Sequence, residues 1–387
     1  MKRTLSTLLL LAASAAIAAA QTPDSSARAA LSALPESQAV VYMNARRIMN
    51  EVLPRVVKSP ELLKGVAELK QNLNVDARNI EFVVAGVRLT NEGAPGVVPV
   101  EFGLVVRGGF DSAALLSFAR MSAQGKYRQE TRAGKTVDVF KIDYDGEKKD
   151  ENKDAADKPT TDAPPADAPK PKNELPSEIA AVALDADSIL VGTQTYVFAA
   201  LDARSNGGAR LSPALSDLAM RDPDALVSLA AQLPPNVSKY LDDATGKGAG
   251  GNFLNDETRR LLDSVRQAQA SLNMTATRYG VQTILRMDTP EDARALSGLV
   301  RFGLNAMEGE ASRGAAGRRR PTRSEQMGLS IVRSITNVVA GNEVQLGVGV
   351  PQTTAAAFFS DTFGGGRGKV PATTPARRAR RPARRRA

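Results

Sequence analysis

Closely spaced carboxylates are the residues of this chain that come nearest to a catalytic pattern. Its 387 residues include no histidine and no cysteine. Serine–histidine–aspartate and cysteine–histidine nucleophile systems and thiolate zinc sites are therefore excluded. The Ser-x-x-Lys and Gly-x-Ser-x-Gly patterns of other serine enzymes are missing as well. An enzyme built on this sequence would depend on carboxylates, Lys, Tyr or Ser alone.

Three aspartate pairs have the spacing of neighbouring acids, and each lies beside a predicted strand end: Asp143 and Asp145, Asp185 and Asp187, and Asp222 and Asp224. Two acids can divide the general-acid and nucleophile roles of glycoside hydrolysis. Aspartate at a strand end, however, usually forms a turn, and the chain has no tryptophan on which a sugar ring could stack. The turn interpretation is favoured, and a glycan-directed carboxylate hydrolase is kept as the alternative function.

Metal and nucleotide patterns fail at specific positions. Asp143-Tyr144-Asp145-Gly146 resembles part of a calcium loop, but position 1 of that loop would be Lys141 and position 12 Asn152. The glycine-rich run 364–369 ends in Gly-Lys followed by Val370, where a phosphate-binding loop requires Ser or Thr. We therefore predict no cofactor and no metal site, with weak calcium binding by an acidic insertion as the alternative.

The C-terminal tail carries the one strong electrostatic feature. Nine basic residues and no acidic ones follow Phe363, and without them the chain has 42 basic against 42 acidic residues. Dense arginine attracts phosphate-rich polymers and anionic surfaces. The tail after Phe363 has no aromatic residue on which bases could stack. The predicted polyanion-binding residues are Arg377, Arg378, Arg380, Arg381, Arg384, Arg385 and Arg386. A solvated tail without a partner is the alternative.

The N-terminus has the three regions of a secretory signal peptide. Lys2 and Arg3 precede the apolar run 5–17, and Ala18-Ala19-Ala20 offers a small-residue cleavage site before Gln21. No later segment reaches the length of a membrane-spanning helix, which is about 20 residues. We therefore expect a protein that is exported to the periplasm or released, with no integral span after cleavage. The Ala- and Arg-rich composition indicates a bacterial origin.

Patterning along the rest of the chain predicts an α+β fold with two related halves. Each half is expected to be a mostly antiparallel sheet with helices on one side, because strand-like runs follow one another without intervening helices. The predicted boundaries are a signal peptide at 1–20, a first half at 21–204, a second half at 205–363 and a disordered Arg-rich tail at 364–387. Residues 146–177 are predicted to be a disordered acidic and proline-rich insertion in the first half.

The prediction of related halves depends on landmarks that recur in the same order. Apolar residues at offsets 0, 1, 4, 7 and 11 from Leu62 and from Leu261 each predict one face of an amphipathic helix. Each such helix is followed by a predicted strand, 80–89 or 279–287. The second half lacks a counterpart of one strand in the pair 80–89 and 98–107. An internal duplication is the interpretation favoured by these landmarks.

Three segments carry a family resemblance: LPESQAVVYMNARRIM at 34–49, VVRGGFD at 105–111 and ILVGTQTYVFAAL at 189–201. With them the chain resembles a group of uncharacterised exported bacterial proteins with duplicated α+β modules. The resemblance implies the architecture and assigns no activity, cofactor or site residue.

The sequence thus favours an exported, non-enzymatic envelope or secreted binding or scaffold protein whose basic tail contacts anionic polymers or surfaces. Besides the hydrolase, an exported nucleic-acid-binding protein is the second alternative, although specific nucleic-acid recognition is not expected.

Overall fold

The computed structural model describes residues 25–56, 70–71, 75–90, 100–142, 177–205, 208–239, 255–316, 323–352 and 354. The predicted signal peptide, the predicted disordered tail and all of the predicted insertion except Ser177 lie outside these residues. Among the helices of the described part, none is long and apolar enough to cross a membrane.

All described strands join one twelve-stranded sheet, and every neighbouring pair is antiparallel. The predicted α+β class with an antiparallel sheet is therefore confirmed. The spatial order is β11-β12-β10-β9-β8-β1-β2-β3-β7-β6-β5-β4. The strands are β1 (Ala39–Met43), β2 (Ile80–Leu89), β3 (Val100–Gly108), β4 (Tyr127–Arg132), β5 (Lys135–Lys141), β6 (Glu178–Asp185), β7 (Ser188–Gly192), β8 (Ala225–Gln232), β9 (Val265–Met274), β10 (Arg278–Met287), β11 (Thr336–Ala340) and β12 (Glu343–Pro351).

Helices of very different lengths connect these strands. They are α1 (Ser25–Ser32), α2 (Ala45–Arg47), α3 (Leu53–Val56), α4 (Ser112–Ser122), α5 (Gln194–Ser205), α6 (Pro213–Ala219), α7 (Asp256–Asp263), α8 (Pro290–Ala316) and α9 (Arg323–Ser334). A π-helical turn (Ile48–Val52) lies between α2 and α3, and a 3₁₀ turn (Ala77–Asn79) precedes β2. Side-chain caps begin several helices: Asp111 accepts hydrogen bonds from two amides of α4, and Asn255 from the Thr258 amide of α7.

The two halves repeat one strand order. In the first half the order outward from the centre is β1-β2-β3-β7-β6, and in the second it is β8-β9-β10-β12-β11. The halves meet where β1 pairs with β8, so they share one sheet. The hairpin of β4 and β5 extends the first half alone. The predicted sequence duplication and the predicted domain boundaries stay predictions.

One predicted helix is wrong. The apolar spacing from Leu261 to Leu272 predicts a single helix, but α7 ends at Asp263 and β9 begins at Val265. From residue 267 onward Gln, Gln, Ser and Asn alternate with Ala, Ala, Leu and Met, which is the period of a half-buried strand. That alternation is the stronger signal. The corresponding residues around Leu62 lie outside the described part of the chain.

The sheet has two faces with different covers. We call the face that carries Val40, Val84 and Val105 the front face, and the opposite face the back face. Side chains from α1, α5 and α6 form the largest core cluster with the front face of the first half. On the back face, Leu116 of α4 packs against β6 and β7, and Ala293 and Leu296 of α8 pack against β10 and β12. Helices therefore lie on both faces of the sheet, and in the first half they do so on both sides of its own strands, so the predicted placement of helices on one side is wrong there.

Tyr196 is the largest side chain of the front core and is fully buried. It lies over two glycines on neighbouring strands, Gly86 and Gly103. Its hydroxyl and the Ser37 hydroxyl are 2.8 Å apart and share a hydrogen bond. Burial raises the pKa of Tyr196 to about 12, so this hydroxyl stays protonated. The glycines leave the space that the tyrosine ring fills.

Candidate functional site

The centre of the back face exposes three large apolar side chains on three adjacent strands. Leu229, Leu272 and Val281 are 43%, 36% and 40% exposed. Leu272 lies opposite Val281, and Leu229 lies opposite Val41 at the joint between the halves. We call Leu229, Leu272 and Val281 the central floor. Contiguous exposed apolar groups of this kind mark binding surfaces more often than isolated ones do.

The central floor is exposed because the described helices pack around it. Helix α4 covers β6 and β7, and α8 covers the far end of the second half. At one end of the sheet, Ile48 and Val52 of the π-helical turn pack against Met274 and Tyr279. The same strands place polar residues such as Gln269 and Ser271 on the front face, so the apolar back face follows from strand alternation.

A polar cleft of about 540 Å³ lies on the other side of the π-helical turn, at the beginning of β2. It is lined by Arg46, Asn50, Asp76, Arg78, Asn79, Glu81 and Gly109. The cleft brings together residues from α2, the π-helical turn, the 3₁₀ turn and β2. π-Helical turns often mark functional positions in helices.

Hydrogen bonds hold the lining of the polar cleft in place. Asn50 donates from its side-chain amide to the carbonyl oxygens of Arg46 and Arg78, at 2.9 and 3.1 Å. Arg46 donates to the Glu81 carboxylate at 2.7 Å. A Glu81 oxygen also lies 3.5 Å from the Arg107 Nε. The cleft therefore presents guanidinium donors and a carboxylate side by side.

Asp76 is the second carboxylate of the polar cleft, and it is held in its ionised form. The Lys70 ammonium donates to it at 3.0 Å, and the Arg78 amide donates to it at 3.0 Å. The Lys70 hydrogen bond, followed by the Arg78 hydrogen bond, lowers the pKa of Asp76. With both signs of charge fixed, the cleft is suited to binding a polar ligand that carries donors and acceptors.

In the described part of the chain, three acids of the pairs that the sequence singles out are engaged by neighbouring groups. Asp185 accepts from the Ser188 hydroxyl at 3.0 Å, and Asp187 pairs with Arg107 at 3.1 Å. Asp222 accepts from its neighbour's amide, that of Asp224, at 3.1 Å. Asp143 and Asp145 lie outside the described residues, as do the seven tail arginines from Arg377 to Arg386. Within the described residues, no group of three or more acids could hold a metal ion.

Sequence reasoning did not identify the central floor or the polar cleft. The alternation of polar and apolar residues in β9 is a signal for part of the central floor, because in a strand it places Leu272 on an apolar face. The cleft offers no comparable signal, because its residues come from segments that are brought together only by the fold.

A charged network crosses the front face of the second half. Glu343 accepts hydrogen bonds from Arg221 at 2.8 Å and from Arg286 at 2.9 Å. Only 11% of its side chain is exposed. The Arg221 hydrogen bond, with support from Arg286, lowers the pKa of Glu343 from its ordinary value of 4.5 to about 2. This network connects the segment after α6 to β10 and β12.

The lowered pKa of Glu343 predicts a loss of stability in acid. Because the folded pKa lies below the unfolded one, the contribution is complete above about pH 5 and is lost as the pH falls toward 2. Between pH 6 and pH 3 we expect Glu343 to account for a loss of about 2 kcal/mol in the free energy of unfolding. Urea unfolding of wild type and Glu343→Gln at both pH values measures it. Equal pH dependence in the two proteins would contradict the assignment.

Comparison with known proteins finds similarity only at the level of solved structures. No family model and no curated protein matches the chain. Crystal form III of the protein TP0453 is 11% identical with a TM-score of 0.40, and 86% of this chain covers 97% of that chain. Crystal form I of TP0453 is 10% identical with a TM-score of 0.37, and the match covers 86% of this chain and 96% of that chain. Crystal form IV is 10% identical with a TM-score of 0.40, and the match covers 85% of this chain and 96% of that chain.

Proposed function

We propose that this chain is an exported, non-enzymatic binding protein of the bacterial envelope. Its α+β body holds a partner, and its arginine-rich tail attaches it to an anionic polymer or surface. The observation that carries the proposal is the central floor, where three adjacent strands expose large apolar side chains between the flanking helices. A predicted signal peptide at 1–20 supports export.

The body and the tail divide the charge of the molecule in a way that supports two separate roles. Carboxylates of the described body are engaged by arginines within the fold, as Glu178 is by Arg128 and Glu343 is by Arg221. The nine basic residues after Phe363 have no acidic neighbours in the sequence. The tail therefore supplies a local positive field, which attracts polyanions.

The tail is tested by comparing the mature chain with a version that ends at Phe363. Both are titrated with lipopolysaccharide, anionic phospholipid vesicles and duplex DNA over a range of salt concentrations. We expect binding by the full chain only, with affinity falling at least about tenfold between 50 and 200 mM salt because counterions are released. A full-length variant with the seven arginines replaced by glutamine is the matched control for chain length.

Each outcome of this titration has a definite meaning. Equal binding by the full and shortened chains, or binding by neither, would contradict the role of the tail. Strong preference for DNA over the other two polyanions would favour the nucleic-acid alternative. Cell fractionation of the full chain tests export separately, since retention in the cytoplasm would contradict an envelope function.

A further inference from the structure

The two edges of the sheet differ in how they are protected. Strand β4, at one edge, carries charged side chains at three of its six positions, and these pair with residues of the fold such as Glu178 and Asp202. Strand β11, at the other edge, reads Thr-Asn-Val-Val-Ala and carries no charge and no proline. Charge and proline are the usual devices that prevent an edge strand from pairing with another chain. Strand β11 lacks both.

The first half shows what occupies the equivalent edge. By the repeated strand order, β6 is the counterpart of β11. Strand β6 is not an edge, because β5 pairs with it antiparallel from Asp138 to Lys141. In the described part of the second half, no hairpin equivalent to β4 and β5 follows, and the sheet ends at β11. The fold therefore adds an antiparallel strand at this position in one half and leaves it open in the other.

Hydrogen-bond alternation shows which backbone groups of β11 point outward. Asn342 and Gln352 lie just beyond the two ends of β12. Asn342 accepts from the Met287 amide and Gln352 donates to the Thr277 carbonyl, so both bond toward β10. The even-numbered residues of β12 between them therefore bond toward β10 as well. Its odd-numbered residues, from Glu343 to Gly347, therefore bond toward β11, where their partners are Ala340, Val338 and Thr336. This leaves the amide and carbonyl groups of Asn337 and Val339 directed away from β12.

The turn between the two strands agrees with this assignment. Ala340 and Glu343 close a two-residue loop in which Gly341 has φ +60°. A glycine with positive φ at the first loop position is typical of a type II′ hairpin, whose closing residues are hydrogen-bonded to each other. Ala340 is thus an inward-bonding residue, and the alternation from it again turns Asn337 and Val339 outward.

We propose that β11 pairs antiparallel with β11 of a second copy of this chain, with Val338 opposite its own counterpart on a two-fold axis. In this register the backbone amide and carbonyl groups of Asn337 bond to those of Val339 in the other copy. The two-fold axis repeats this pair on the other side of Val338. Val338 occupies the central, non-hydrogen-bonded position, where facing Cα atoms are about 4.5 Å apart. The two sheets then form one continuous sheet, joined as β1 and β8 are joined within the chain.

The side chains of β11 fit this pairing. Asn337 and Val339 face inward to α8 and the core, since Asn337 bonds Ser297 and Val339 packs with Val344 and Leu296. Val338 lies on the opposite, front face and is 54% exposed. Pairing would bring the two Val338 side chains into contact and would reduce this exposure. The inward contacts of Asn337 and Val339 would stay as they are.

A five-residue pairing is a small interface, below the roughly 1,000 Å² typical of a stable specific complex. We therefore expect a reversible dimer with a dissociation constant in the micromolar range, about 10 μM. Sedimentation of the full-length mature protein over about 1 to 200 μM, a span chosen to bracket that constant, should show the mass rising from one copy to two.

Single cysteines test the register, because the natural chain has none. Val338→Cys should cross-link to a disulfide dimer under mild oxidation, since facing Cα atoms at that distance fall within disulfide geometry. Thr336→Cys is the matched control on the same strand: its two copies would lie about 14 Å apart along the strand direction and cannot bridge. Thr131→Cys on β4 controls for random collision at the other edge.

A charge on β11 gives an independent reading. Val338→Lys should weaken association at least about tenfold, because like charges would face each other on the axis, whereas Thr131→Lys should leave it unchanged. Circular dichroism confirms that each variant is folded, as expected for substitution of an exposed side chain. The proposal is overturned if the wild type remains a single copy throughout the concentration range. It is equally overturned if a dimer forms but Val338→Cys cross-links no better than the two cysteine controls.

Discussion

Replacing Gly103 with alanine should destabilise the fold by about 3 kcal/mol, at the upper end of the usual cost of overpacking. A Cβ atom at this position would lie 2.4 Å from the Tyr196 Cδ1 and 2.6 Å from its Cε1. The ring cannot shift easily, because it is fully buried, lies over Gly86 and shares a hydrogen bond with Ser37. Thermal or urea unfolding of the variant measures the loss.

Gly298→Ala is the matched control for this substitution. Gly298 lies within α8, and the Cβ that alanine would add faces open space rather than another part of the protein. Alanine there should stabilise the protein by about 0.5 to 1 kcal/mol through its helix propensity. Combining Gly103→Ala with Tyr196→Ala should cost less than the sum of the single changes. Full additivity would show that the ring is not the source of the strain.

Replacing Asp138 with alanine should cost about 3 kcal/mol or more. The Asp138 side chain has no exposed surface, and both of its oxygens lie 3.0 Å from the Arg120 Nε. Gln129 donates to the same carboxylate at 2.9 Å. Removing the acid leaves a partly buried guanidinium and an amide without their acceptor, and unpaired buried polar groups are strongly destabilising.

Asp202→Ala provides the comparison for a more exposed ion pair. Asp202 pairs with Arg132 at the protein surface, where their side chains are 30% and 48% exposed. Such pairs contribute less than about 1 kcal/mol. We expect Asp202→Ala to shift the urea midpoint slightly and Asp138→Ala to shift it several times more. Similar losses for the two variants would show that the Asp138 carboxylate is not the key partner of α4.

The sequence predicts the class of the fold better than it predicts its elements. Adjacent strand runs correctly indicate an antiparallel sheet, because the sequence predicts no helix between 80–89 and 98–107 that could carry a crossover. Residues 261–272 mislead, since the apolar positions of α7 and β9 together have a helical spacing, although α7 ends at Asp263. Attention to the alternation from Gln267 to Met274 would have found the strand.

Surface features depend on long-range pairing and are correspondingly harder to predict. The central floor exists because β8, β9 and β10 are neighbours, and the charges of the polar cleft come from separate segments. The exposed edge at β11 follows from strand order, which no local pattern contains. The acid pairs, by contrast, could be interpreted locally: Asp222 accepts the amide of Asp224 in the turn geometry that their spacing predicts.

The pairing of β1 with β8 has a consequence for the order of folding during synthesis. Strand β1 can join β2 once both strands have been synthesised, but its other edge must wait until β8 (Ala225–Gln232) has followed. At ordinary rates of translation this interval is on the order of ten seconds or more. Throughout it, the unfinished chain presents an apolar, charge-free strand whose second edge has no partner. The joint that later unites the halves is thus the place where an unfinished chain is most prone to self-association, and completion of β8 removes that hazard.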